Sequence, residues 1–104
     1  MGAGEQAEAE TWWRKGAAAG DSGAMVNLGL VLQQRGELAE AETWYRKAAA
    51  DDDSGAMYNL GLLLDERGEP AEAETWYRKA AAAGDSDAMT NLGVLLRRRG
   101  ELGI

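Results

Sequence analysis

The chain is 104 residues long, carries a formal net charge of −7, and has no cysteine, histidine or phenylalanine. The lack of cysteine excludes a disulfide framework, a thiolate nucleophile and a cysteine metal site, and the lack of histidine removes the commonest general base and metal ligand. The acidic balance disfavours nucleic acid and anionic membrane surfaces, so neither is expected as a partner.

The first predicted helix runs from Glu5 to Ala19, carries Trp12 and Trp13, and is followed by Gly20 as a left-handed C-cap. From its start the chain repeats. Trp12, Trp44 and Trp76 stand 32 residues apart, as do Asn27, Asn59 and Asn91, then Gly29, Gly61 and Gly93, then Gly36, Gly68 and Gly100. Three units, 5–36, 37–68 and 69–100, make up one helical-repeat domain over residues 1–104, and units two and three are identical at 24 of 32 positions. A period of this size marks a solenoid, in which each unit buries its apolar face only against its neighbours.

The middle unit shows what each repeat contains: a Trp helix, then a Leu helix. In the Trp helix, Ala41, Trp44, Tyr45, Ala48 and Ala49 recur at the spacing of one helix face. Glu42 and Arg46 stand four apart in the favourable order for an exposed pair. In the Leu helix, Met57, Leu60, Gly61 and Leu64 form the stripe, Asp53 or Ser54 supplies the N-cap, and Gly68 the C-cap. The third unit carries the only proline, Pro70, which marks a helix start at Glu69 or Pro70 and, by the repeat, at Glu37 and Glu5. Gly84 ends a Trp helix as Gly20 does; the matching residue in unit two is Asp52, which tolerates that conformation less well. The last predicted helix is a Leu helix from Ser86 to Arg99.

A mid-helix glycine costs about 1 kcal/mol relative to alanine, so its recurrence needs a reason. Close helix packing supplies one, with Gly61 against Ala73 and Gly29 against Ala41 as the expected pairs. Trp44 and Trp76 are expected to be largely buried between helices. The longest apolar stretch, near Leu60 to Leu64, is too short to span a bilayer, and no leader-like segment opens the chain, so a cytoplasmic protein is expected.

The run A-M-Y-N-L-G-L-L-L-D-E-R-G-E-P-A-E-A-E-T-W-Y-R-K-A, Ala56 to Ala80, resembles a tetratricopeptide helix pair. Leu60 and Gly61 match its leucine–glycine pair, Gly68 its turn glycine, and Ala73, Tyr77 and Ala80 its small–aromatic–small second helix. The junction from Trp76 to Gly93 is similar to a Sel-one-like repeat. The resemblance implies an all-α, right-handed solenoid of six antiparallel helices, and a binding scaffold rather than an enzyme. The period of 32 is shorter than the tetratricopeptide 34. The order also starts with the second helix of a pair and stops on the first, with no polar capping helix at either end. A cut fragment, an engineered array and recent duplication all fit.

In such arrays the first helix of each pair, here the Leu helix, lines a concave groove. The resemblance therefore implies peptide contacts at Val26, Asn27 and Leu30, at Tyr58, Asn59, Leu62, Asp65 and Glu66, and at Thr90, Asn91, Arg97 and Arg98. Of the eight differences between units two and three, five fall on this face: Gly55/Asp87, Tyr58/Thr90, Leu62/Val94, Asp65/Arg97 and Glu66/Arg98. The asparagines do not vary, and an amide both donates to and accepts from a peptide backbone; ordering the helix stack is the other role open to them. Arg97, Arg98 and Arg99 fit either an anion site or a solvated helix end.

Other chemistry finds no support. Asp51, Asp52 and Asp53 fail the calcium-loop rule, since the twelfth position is Leu62. No phosphate-binding glycine loop and no nucleophile–base pair is present, so no cofactor or metal is expected. A second expectation is self-association. The last Leu helix lacks the Trp helix that would follow it, which should leave Met89, Leu92, Leu95 and Leu96 partly uncovered. The first Trp helix, with Trp12 and Trp13, lacks the Leu helix that would precede it. Head-to-tail stacking would continue the solenoid.

Overall fold

The computed structural model describes residues 2–103. Six helices follow in order: α1 (Ala3–Ala18), α2 (Ser22–Gln34), α3 (Leu38–Ala50), α4 (Ser54–Glu66), α5 (Pro70–Ala82) and α6 (Ser86–Gly103). The Trp helices are α1, α3 and α5; the Leu helices are α2, α4 and α6. Consecutive helices pack on each other, and the stack is 51 Å long and 24 by 21 Å across.

Turn chemistry repeats as the sequence does. Asp21, Asp53 and Asp85 accept hydrogen bonds from the amides of Ala24, Ala56 and Ala88, at 3.1, 3.0 and 3.0 Å, and so start each Leu helix. Gly20 and Gly84 end α1 and α5 in the left-handed region, and Asp52 adopts it in unit two at φ 63°, the one non-glycine residue to do so among the described residues. The aspartate run is therefore a C-cap running into an N-cap. Gly36 and Gly68 end α2 and α4 in the same way. Gly100 does not: α6 continues through it to Gly103, beyond the expected end at Arg99. The reversals at Gly36 and Gly68 lead straight into a Trp helix that packs back on the Leu helix; no described helix follows α6.

The core is built from Leu28, Leu32, Leu60, Leu63, Leu64 and Leu95 with Tyr45, Tyr77 and the alanines of the Trp helices. The recurrent glycines do make room, but not for the expected partners. A β-carbon on Gly61 would meet the Tyr77 ring, and one on Gly29 the Tyr45 ring. Ala73 and Ala41 are fully buried beside this contact, yet the space is taken by the tyrosines.

Trp44 and Trp76 are mostly covered, as expected, but they pack against the core from its edge and do not sit inside it. The following tyrosine takes the interior position, while Lys47 Nζ lies 4.9 Å above the Trp44 ring and Lys79 Nζ 4.8 Å above Trp76. An indole face covered by an ammonium one turn on gains a cation–π attraction and keeps the charge in water.

Candidate functional site

The three Leu helices form one layer and present the residues expected to line a groove. Val26, Tyr58, Asn59, Leu62, Asp65 and Asn91 are half-buried, while Asn27, Leu30, Glu66, Thr90, Arg97 and Arg98 are exposed. The layer is tied at its helix starts by Ser22 Oγ, which donates to Asp53 Oδ2 at 3.0 Å. Tyr58 lies against Tyr77, ring centroids 6.2 Å apart and tilted by 38°. The Tyr45 hydroxyl donates to Gln33 Oε1 at 2.8 Å. In the next unit Asp65 stands where Gln33 does, but Arg98 Nη2 donates to it at 2.6 Å. The buried Tyr77 hydroxyl is left with no hydrogen bond of acceptable geometry. Burial pushes the Tyr58 and Tyr77 hydroxyls up from their ordinary pKa, and Asn91 beside both pulls them partly back. The three repeated asparagines thus do not share one environment: Asn91 sits among tyrosines, whereas Asn27 faces solvent.

The arginine cluster is spoken for within the chain. Arg98 pairs with Asp65, Arg99 with Glu74, and Arg97 with Glu101 at 3.6 Å. Arg99 belongs to a clasp found in every unit. Arg35 reaches Glu10 at 2.6 Å, Arg67 reaches Glu42, and Arg99 reaches Glu74. Each of these glutamates also holds an arginine four residues on, Arg14, Arg46 or Arg78, at 3.1, 2.8 and 2.7 Å. The guanidinium groups keep the carboxyls of Glu10, Glu42 and Glu74 below the usual range, Arg35, Arg67 and Arg78 being the foremost partners. Arg14 and Arg46 reach on to the next unit, to Glu40 and Glu72, both at 2.9 Å. Of these pairs only the local Glu42–Arg46 pair is expected from helix spacing; the signal for the clasp is a glutamate and an arginine 25 residues apart in all three units.

The residues expected at the two ends fare unequally. Met89 and Leu96 are exposed on α6, and Trp12 is exposed on α1; Leu92 and Trp13 are half-buried. Leu95, expected to be partly uncovered, is instead buried as part of the continuous hydrophobic core. A cleft of about 580 Å³ opens between α1 and α2. It brings Trp13 together with Asn27 and Leu30, residues from two separate expectations. Among the described residues there is no cluster of three or more potential metal ligands, and no helix is long and apolar enough to cross a membrane.

The pattern of the tetratricopeptide repeat family matches residues 21–85. Among solved structures, the chain is similar to a Sel1 repeat protein from Oxalobacter formigenes, with 35% identity and a TM-score of 0.68. The match covers 82% of this chain but 38% of that protein, so the chain spans well under half of its length. None of the curated proteins matches it. The chain belongs to the tetratricopeptide repeat family, whose members are generally protein–protein interaction scaffolds.

Proposed function

We propose that the layer of α2, α4 and α6 binds an extended segment of a partner protein. One observation carries this reading. The residues that distinguish otherwise near-identical units gather on this layer, where Tyr58 and Leu62 offer half-exposed apolar surface beside the amides of Asn59 and Asn91. Partly buried apolar groups supply contact area, and amides can pair with a peptide backbone in both directions. Asp65 and Arg98 answer each other's charge, so they bind a ligand only by parting. The central contacts are then Tyr58, Asn59, Leu62, Thr90 and Asn91, with Val26, Asn27 and Leu30 extending the surface toward α1. Screening a peptide library against the wild type and a Tyr58→Ala, Asn59→Ala variant tests it. The expected result is a set of peptides bound tighter than about millimolar, roughly −4 kcal/mol, and weakened at least tenfold in the variant. Absence of any such peptide refutes the reading.

A further inference from the structure

The exposed apolar residues of this chain are two halves of a contact that it already makes twice internally. Where α3 covers α2, and α5 covers α4, Met25 and Met57 are 6% and 7% exposed, and Leu32 and Leu64 are fully buried. Their equivalents on α6, Met89 and Leu96, are 50% and 37% exposed. Gly29 and Gly61 are each filled by a tyrosine ring; Gly93 has nothing within 4 Å of where its β-carbon would be. The other half lies on α1. Trp12 is 59% exposed, whereas Trp76 lies beside Ala49, Ala50 and Met57 of the preceding unit. Trp13 stands at the repeat position of Tyr45 and Tyr77, yet it lines the open cleft beside α2 rather than a neighbouring glycine. Charge follows the same rule. Arg14 and Arg46 each bridge to the glutamate of the next Trp helix, while Arg78 pairs with Glu74 alone among the described residues. Glu8 is the repeat equivalent of Glu40 and Glu72.

We infer that α6 of one copy seats in the α1–α2 cleft of a second copy and continues the solenoid head to tail. The occupant is a second copy because each uncovered group finds its internal partner's equivalent there. Trp13 lies on Gly93, Trp12 covers Met89, and Arg78 meets Glu8. The contact uses a different surface on each copy, so it is heterologous and repeats without closing unless the rotation returns on itself. It goes beyond peptide binding and leaves Tyr58, Asn59 and Asn91 free.

Light scattering on the full chain across a concentration series up to about millimolar tests it. The wild type should pass from the chain mass of 11.1 kDa to more than twice that mass, rising with concentration. Gly93→Leu fills the socket from a β-carbon position with no atom within 4 Å, so it should keep the helical circular dichroism and stay at the chain mass. Trp12→Glu, at an exposed site, should do the same. Mixing the two variants leaves one intact head and one intact tail, and should give a 1:1 dimer that grows no further. A wild type that remains monomeric throughout, one that stops at a dimer, or a Gly93→Leu variant that grows like the wild type would each overturn the inference.

Discussion

Tyr77 lays its ring on the bare backbone of Gly61, with Cε1 2.5 Å from where a β-carbon would stand. No side chain fits there unless the ring moves, and the ring is fully enclosed among core residues. Gly61→Leu should therefore destabilise the fold by about 1–3 kcal/mol through overpacking. Gly93→Ala, in open space, should stabilise α6 by up to about 1 kcal/mol, the ordinary helical preference for alanine. Urea unfolding of the two variants beside the wild type measures both. Equal effects would show that the close approach does not discriminate between the two sites.

Tyr45 predicts an alkaline limit. Burial, with Glu66 adding a smaller repulsion, pushes its hydroxyl from 10.0 up to about 12. A folded-state value above the unfolded one means that the folded protein holds the proton longer. Its contribution is complete below pH 10 and is lost as pH rises toward 12. Thermal unfolding across this range should show a falling midpoint. Tyr45→Phe should flatten that fall while lowering stability at neutral pH by about 1 kcal/mol, since Gln33 loses its donor.

The glutamate clasps predict the opposite limit. The carboxyls of Glu10, Glu42 and Glu74 lie below 4.5 in the folded chain because arginines hold them ionised. Their contribution is present above that value and is lost as pH falls through the lower folded values. Glu42→Gln should shallow the acid slope of the unfolding midpoint and cost about 1 kcal/mol at neutral pH, the scale of a partly exposed ion pair. A slope unchanged by this substitution would place the acid sensitivity elsewhere.

The Tyr77 hydroxyl marks a place where the repeat has lost a partner. Restoring the glutamine of unit one, as Asp65→Gln, should supply an acceptor as Gln33 does for Tyr45. A buried hydrogen bond contributes about 1 kcal/mol, and the exposed Arg98 pair given up is worth less, so a small net gain in unfolding free energy is expected. A net loss would show that the Arg98–Asp65 link between α4 and α6 is the stronger tie.

Much of this molecule is written in its period. A 32-residue recurrence of Trp, Asn and Gly places the helices, the caps at Asp53 and Gly68 and the solenoid, because each depends on residues close in the chain. Counting which helix has a neighbour likewise predicts Met89, Leu92, Leu95 and Leu96 partly uncovered, which holds for Met89 and Leu96 but not for Leu95. What lay beyond it was decided between helices. Whether Ala73 or Tyr77 fills the space over Gly61 depends on the angle at which α5 crosses α4. Whether Trp44 or Tyr45 turns inward depends on which side of α3 the stack covers. Leu95 is buried because the assembled core closes over it, and Asp65 pairs with Arg98 because α6 brings a guanidinium within 2.6 Å. Periodicity gives the face of a helix to within about a third of its circumference; the partner met on that face is a property of the assembled stack.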